Sequence, residues 1–154
     1  MSKKRCKRRI WSTAINPIAH AIAGASIADS TSLDKLRLCE LSAIDAMVTG
    51  KATIEDWRWL ADVINIAETM ARNGIGPEVL PYCQQAQESL LAAAKRYEQT
   101  KRMGLDGIGI KTVKELWEYH DLQRTSVARS EYEKMIQKTA NTIRSKSKDV
   151  VEVV

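Results

Sequence analysis

Apolar side chains recur at every third or fourth position along most of this chain, which is the spacing of one face of an α-helix. The runs are Leu41, Ile44, Met47 and Val48; Val79, Cys83, Ala86, Leu90, Ala93 and Tyr97; and Tyr132, Ile136, Thr139 and Ile143. Apolar and polar residues do not alternate at a period of two, and β-branched residues are scattered, so we expect no strand. The pattern predicts an all-α fold.

Helix boundaries carry two kinds of local signal. A Ser or Thr followed three residues later by an acid is typical of a helix start, because the hydroxyl accepts a free backbone N–H and the acid reaches back. Such pairs are Thr31/Asp34, Thr53/Asp56, Thr112/Glu115 and Ser130/Glu133, and the glycines placed to end helices are Gly50, Gly74 and Gly104. With the periodicity, they predict helices near residues 17–27, 32–49, 54–73, 78–103, 112–124 and 130–145.

The segment 54–72 is apolar over most of its circumference. Its polar side chains form one narrow stripe, made of Glu55, Arg58, Asp62, Asn65, Thr69 and Arg72. A helix that is apolar on most sides must contact several neighbours, so we expect this helix at the centre of the bundle. The charges of the stripe are expected to pair along the helix surface.

Length and composition indicate one soluble domain. The chain has 154 residues, of which 44% are hydrophobic and 28% charged, enough for a hydrophobic core without disulfides. We predict a single-domain bundle of five to six helices over residues 11–146, with a basic flexible tail at 1–10 and a C-terminal tail at 147–154. The valines near the C-terminus could pack onto the body or onto a second subunit, so a homodimer stays an open alternative.

The cysteines and the most apolar stretch favour a cytoplasmic protein. Cys6, Cys39 and Cys83 are odd in number and widely spaced, with no Cys-x-x-Cys pair, so we expect reduced thiols and no zinc knuckle. The stretch 15–28 is interrupted by Pro17 and Gly24, among other residues, so neither a membrane span nor a secretory signal is expected.

The net positive charge is concentrated in the first nine residues. Its carriers are Lys3, Lys4, Arg5, Lys7, Arg8 and Arg9. The whole chain carries +5, so the residues after this segment sum to about −1. A short block of one sign on a nearly neutral body points to a polyanion, most often nucleic acid.

The segment from Leu105 to Thr112, with the sequence Leu-Asp-Gly-Ile-Gly-Ile-Lys-Thr, resembles the hairpin of helix–hairpin–helix DNA-binding modules. Glycines let a backbone approach a phosphate, and the following helix presents free N–H groups. The resemblance implies phosphate contacts by Gly107, Gly109 and Lys111. Asp106 stands where the pattern has Pro, and the alternative is a plain glycine-rich loop that joins two helices.

A second candidate lies between the last two predicted helices. The turn at residues 122–130 would suit a helix-turn-helix reader of DNA, in which Arg124, Arg129, Lys134 and Lys138 face the nucleic acid. The alternative is a solvated basic face on a terminal helix. Neither His20 nor His120 has a second ligand at metal spacing, so we expect structural histidines, no metal, no cofactor and no enzymatic activity.

Longer stretches, Asn16–Ala25, Asn73–Pro77 and Glu118–Arg124, resemble small uncharacterised proteins of phages and prophages in β-proteobacteria. The resemblance implies a phage-accessory role in the bacterial cytoplasm and brings no catalytic residues. The leading hypothesis is therefore a non-enzymatic nucleic-acid-binding protein, with DNA favoured over RNA. The alternative is a protein that binds and modulates a host complex for defence or nucleic-acid processing.

Overall fold

The computed structural model describes residues 9–10, 30–145 and 150–151. Within these ranges the chain forms five α-helices: α1 (Ser30–Thr49), α2 (Ile54–Arg72), α3 (Leu80–Thr100), α4 (Gly107–Thr125) and α5 (Arg129–Ser145). A 3₁₀ turn at Pro77–Val79 leads into α3. The all-α prediction is confirmed for residues 30–145. The predicted short helix near 17–27, and residues 2–8 of the tail, lie outside it.

The start of α2 is capped as the sequence predicts. The Thr53 hydroxyl accepts a hydrogen bond from the Asp56 N–H at 3.2 Å, and the Thr53 N–H donates to the Asp56 carboxylate at 2.8 Å. Gly50 and Gly74 follow the ends of α1 and α2 with φ of 70° and 84°, a left-handed conformation that glycine adopts at low cost. These three boundary predictions are confirmed.

Two other capping predictions are displaced. Helix α1 already begins at Ser30, so Thr31 is its second residue. Helix α5 begins at Arg129, and Glu133 forms an ion pair with the Arg129 guanidinium at 2.9 Å. The prediction that Ser130 starts this helix is therefore wrong. Ser130 already lies in the first turn, and Glu133 pairs with the Arg129 side chain.

Helix α2 lies at the centre of the bundle, as predicted. Trp57, Leu60 and Ile64 are buried, and α2 contacts each of the other four helices. The indole N–H of Trp57 donates to the Leu90 carbonyl of α3 at 3.0 Å, which satisfies the one polar group of this large side chain.

The polar stripe of α2 is buried in its middle. Asp62 and Asn65 are both fully buried, and the Thr139 hydroxyl of α5 donates to the Thr69 hydroxyl at 2.8 Å. The expected pairing along the helix holds for Arg58, which lies 3.5 Å from Glu55, and for Arg72, which lies 2.8 Å from Glu68. The middle of the stripe is buried because α5 packs against this side of α2.

The linkers at one end of the bundle are joined by backbone contacts. The Ala52 N–H donates to the Met103 carbonyl at 3.2 Å, and the Leu105 N–H donates to the Met47 carbonyl at 3.0 Å. Gly104 lies so close to Gly50 that a Cβ on Gly104 would be 2.8 Å from the Gly50 Cα. The α1–α2 and α3–α4 connections therefore support each other.

The two ends of the chain meet in a short parallel pairing that the sequence does not predict. Strand β1 (Arg9–Ile10) pairs with β2 (Val150–Val151), with Arg9 opposite Val150 and Ile10 opposite Val151. Strand β1 also contacts α3. The expectation of no strand is wrong at this point, because the pairing joins opposite ends of the chain and leaves no local periodicity.

Candidate functional site

The helical body carries no net charge. Six of the 24 Lys and Arg lie in the tail, and Lys146 and Lys148 follow α5. The remaining 16, between residues 30 and 145, are matched by 16 Asp and Glu in the same range. Any excess attraction for a polyanion must therefore come from the tail or from local clusters of basic residues.

The most elaborate polar arrangement is a buried ionic cluster between α1 and α4. The Arg124 guanidinium donates to both oxygens of Glu40, at 2.7 and 2.8 Å, and both side chains are almost completely buried. The Trp117 indole N–H adds a third hydrogen bond to Glu40 at 2.7 Å. A carboxylate and a guanidinium can remain buried here because the bidentate geometry and the additional donor offset their desolvation.

The cluster continues outward through Asp121 and Arg37. Asp121 accepts from Arg124 Nε at 2.8 Å and from Arg37 Nε and Nη2 at 2.9 and 3.0 Å. Burial favours the neutral carboxyl of Asp121, but hydrogen bonds from Arg37 and the charge of Arg124 hold its pKa below the ordinary value. Burial also opposes the charge of Arg124, yet the hydrogen bonds and attraction of Glu40 raise its pKa. Arg37, Asp121 and Arg124 are therefore charged at neutral pH.

His120 connects this region to α5, and the neighbouring Gln123 connects it to α2, where its amide donates to the Ala67 carbonyl at 3.3 Å. Its Nε2 lies 3.2 Å from the Tyr132 hydroxyl, and its Nδ1 lies 3.2 Å from Gln123 Oε1. The Gln123 amide donates to the Ile75 carbonyl at 2.9 Å, so its oxygen faces His120, which assigns the proton to Nδ1. Complete burial, followed by the charge of Arg124, lowers the pKa of His120 to about 3. His120 is thus a neutral structural side chain.

The predicted nucleic-acid contact of Arg124 is wrong. The side chain is 1% exposed, and its donors are directed to Glu40 and Asp121. A phosphate could reach the guanidinium only by displacing these carboxylates and opening the interface between α1 and α4. Arg124 holds two helices together and is closed to solvent.

The predicted helix start at Thr112 is also wrong, because Gly107 and Gly109 already lie in the first turn of α4. Asp106 is the N-cap, and its carboxylate accepts the Gly109 N–H at 2.7 Å. Thr112, expected to cap this helix, lies inside it and donates to the Ile108 carbonyl at 2.8 Å. The capping carboxylate thus occupies the place where a phosphate would accept from Gly109.

Lys111 lies one turn further along α4 and is exposed. Its predicted phosphate contact does not depend on the hairpin and stays a prediction, as does that of Gly107.

The three basic residues predicted on α5 are all exposed, but each has a polar partner in the body. Arg129 pairs with Glu133 at 2.9 Å, and Lys134 lies 3.8 Å from Glu131. Lys138 donates to the Asn73 side chain. Glu131 and Glu133 lie between Arg129 and Lys134, so the first turns of α5 carry charges of both signs. DNA contacts by these residues stay predictions.

One basic cluster was missed by the sequence analysis. The pairing of Ala52 with Met103 brings the exposed residues Lys51, Lys101 and Arg102 to the same end of the bundle. These cations lie beside the C-termini of α1 and α3, where they complement the negative ends of the helix dipoles. The adjacent Lys101 and Arg102 after a long helix were the available signal.

No protein-family model, curated protein or solved structure matches the chain. The resemblances to phage and prophage proteins and to helix–hairpin–helix modules therefore stay predictions.

In the part of the chain that the structure describes, no three His, Cys, Asp or Glu side chains are grouped to hold a metal ion. None of the helices in that part combines the length and the apolar character needed to cross a bilayer.

Proposed function

We propose that this protein binds nucleic acid through its basic N-terminal segment, Lys3 to Arg9, and performs no chemistry. The observation that carries the proposal is the separation of charge. The helical body between residues 30 and 145 is neutral, whereas this segment carries six cations and no acid. A concentrated cation block displaces the counterions of a polyanion, and that release supplies most of the sequence-independent affinity.

The partners of the body arginines support this division of roles. Each of three body arginines is engaged with a carboxylate of the body. The closest ion pairs are Arg37 with Asp121 at 2.9 Å, Arg72 with Glu68 at 2.8 Å and Arg124 with Glu40 at 2.7 Å. Their positive charge is compensated where it stands. The segment from Lys3 to Arg9 contains no acid, so we expect its cations to take the phosphates of a nucleic acid as counterions.

The attachment of the tail favours a defined position for the bound polyanion. Arg9 and Ile10 pair with Val150 and Val151, and the same strand contacts α3. The last cation of the basic segment is therefore tied to the body. A polyanion held by the segment would be brought against the α3 side of the bundle.

The biological setting belongs to the same proposal. A phage-accessory role in the bacterial cytoplasm, with DNA favoured over RNA, is supported only by the sequence resemblance and by the charge pattern. The alternative, modulation of a host protein complex, predicts weak or absent binding to naked nucleic acid.

Fluorescence anisotropy with labelled single- and double-stranded oligonucleotides, over a series of salt concentrations, tests the proposal. We expect binding at low salt and a linear decrease of log K with log salt concentration, by about 0.9 unit per neutralised phosphate on duplex DNA. Absence of binding to both oligonucleotides at low salt would overturn the proposal and favour the host-protein alternative.

A further inference from the structure

The outward face of α1 exposes two leucines. Leu36, Ala43 and Met47 form the buried side of the helix, while Leu38 and Leu41 point away from it and are 65% and 43% exposed. Large aliphatic side chains at adjacent positions of one helix face have no stabilising contact in water. Such a patch often marks an interface.

Charges of opposite sign flank these leucines. Lys35 lies one turn before Leu38, and Asp45 lies one turn after Leu41, on the same face of the helix and exposed. Within the described ranges, neither Lys35 nor Asp45 has an ion-pair partner. Asp34, which is near Lys35 in sequence, is instead paired with Arg37 at 3.1 Å. From its N-terminal to its C-terminal end, the face therefore presents a basic residue, two leucines and an acidic residue.

A groove of about 430 Å³ runs beside this face, between α1 and α4. Leu38, Leu41 and Trp117 supply apolar lining, and the charged lining consists of two carboxylates, Asp45 and Glu118, and one cation, Lys114. The groove can receive an apolar side chain from a partner, whereas the excess of carboxylates disfavours phosphates. It is therefore unsuited to the nucleic acid proposed for the tail.

We propose that the outward face of α1 binds the same face of a second copy, with the two helices antiparallel. The symmetric order of charged and apolar residues along α1 is the reason for proposing a second copy as the partner. Lys35 and Asp45 lie at equal distances along the sequence from position 40, and Leu38 and Leu41 lie on either side of nearly the same point. A two-fold axis there places Lys35 opposite the partner's Asp45, and Leu38 opposite the partner's Leu41.

A two-fold interface requires a surface that is complementary to itself. The face of α1 meets this requirement in both charge and hydrophobicity, because reversing its direction exchanges its basic and acidic ends while the leucines remain central. A parallel arrangement would instead place like charges together. The proposal is independent of nucleic-acid binding, since it uses none of the tail residues.

Sedimentation velocity of the full chain, over about a hundredfold range of concentration, measures the self-association directly. We expect a concentration-dependent dimer, and Leu38→Glu should raise its dissociation constant at least about a hundredfold, as loss of a central contact does. The matched control is Ile108→Glu, because Ile108 is 79% exposed but lies in the first turn of α4, away from this face. The control should retain the dimer.

Charge exchange tests the antiparallel register. Lys35→Asp and Asp45→Lys should each raise the dissociation constant roughly tenfold, because each places like charges together at two symmetric positions. The double variant restores both pairs and should return to within about threefold of the original value. Circular dichroism checks that all variants fold.

A chain that stays monomeric at every concentration would overturn the proposal. A dimer that survives Leu38→Glu would also overturn it, and a double charge variant that remains as weak as the single variants would overturn the register.

Discussion

Arg124 in the last turns of α4 binds Glu40 in the middle of α1 through two hydrogen bonds of 2.7 and 2.8 Å. Trp117 donates a third hydrogen bond to the same carboxylate, and Asp121 accepts another from the guanidinium. The buried carboxylate oxygens of Glu40 and the guanidinium nitrogens of Arg124 therefore all have hydrogen-bond or ion-pair partners. The pair defines how α1 and α4 align, 84 residues apart in sequence.

Removing one partner of this pair should strongly destabilise the fold. We expect Arg124→Met to lower the free energy of unfolding by about 3–5 kcal/mol, because Glu40 would be left as a buried and uncompensated charge. Urea denaturation followed by circular dichroism measures this change. The double variant Glu40→Met with Arg124→Met is the control, and it should recover most of the loss, since no buried charge remains. A cost below about 1 kcal/mol for the single change would show that the pair is accessible to solvent.

The burial of His120 predicts a loss of stability in mild acid. Its pKa is lowered from 6.5 to about 3 in the folded protein, so below pH 6.5 the unfolded chain takes up a proton that the folded chain does not. The free energy of unfolding should therefore fall by about 1.4 kcal/mol per pH unit, approaching 2 kcal/mol between pH 6.5 and about 5. Urea denaturation at a series of pH values measures this slope.

Replacing the imidazole tests this assignment. His120→Gln should flatten the dependence between pH 6.5 and about 5, where the carboxylate of Asp121 does not yet titrate because its pKa is lowered. The control is Gln137→Ala, at an exposed position of α5, which should leave the slope unchanged. If the slope persists in His120→Gln, His120 is not the group responsible.

Replacing two different glycines with alanine should change the stability of the fold in opposite directions. Gly104→Ala should destabilise the protein by about 1–3 kcal/mol, because the new Cβ would lie 2.8 Å from the backbone of Gly50, which cannot move without shifting a helix end. Gly107→Ala adds a Cβ that meets nothing within 4 Å, in the first turn of α4, and should stabilise by about 0.5–1 kcal/mol. Thermal unfolding measures both. Equal effects would contradict the close approach of the two linkers.

The central position of α2 predicts a large cost for truncating its core. Leu60→Ala should lower the free energy of unfolding by about 2–5 kcal/mol, because the side chain is 1% exposed and its removal leaves a cavity. Leu122→Ala, at a position that is 66% exposed, should change it by less than about 0.5 kcal/mol. Chemical denaturation of both variants checks the contrast. A cost below about 1 kcal/mol for Leu60→Ala would place α2 at the periphery.

Sequence reasoning succeeded where one local signal decided the structure. The capping box at Thr53 and Asp56 and the glycines at 50 and 74 each act over a few residues, so they predicted boundaries correctly. It failed at the start of α4, where the Thr112/Glu115 pair predicted the cap. Asp106 is the N-cap instead, and its carboxylate accepts the Gly109 N–H, so both glycines lie inside the helix.

The burial of Arg124 could not be predicted from its charge, because its partner Glu40 comes from a distant helix. A signal was nevertheless present. Leu116, His120 and Arg124 follow each other at four-residue spacing on the inner face of α4, a position that indicates the core more strongly than a basic side chain indicates nucleic acid. Without the partner in view, the type of residue was given too much weight against its position.

The most direct test of the proposed function is the salt dependence of nucleic-acid binding after neutralising the tail. Gln should replace Lys3, Lys4, Arg5, Lys7 and Arg8, while Arg9 is kept because its backbone pairs with Val150. The matched control replaces Lys114 and Arg144 with Gln, because both are exposed cations of the body to which no nucleic-acid contact is assigned. We expect the tail variant to bind duplex DNA at least about a hundredfold more weakly at low salt, with a slope of log K against log salt that is shallower by about 3–5 units. The body variant should change the slope by less than about 1 unit. An unchanged affinity and slope in the tail variant would contradict the assignment of polyanion binding to this segment.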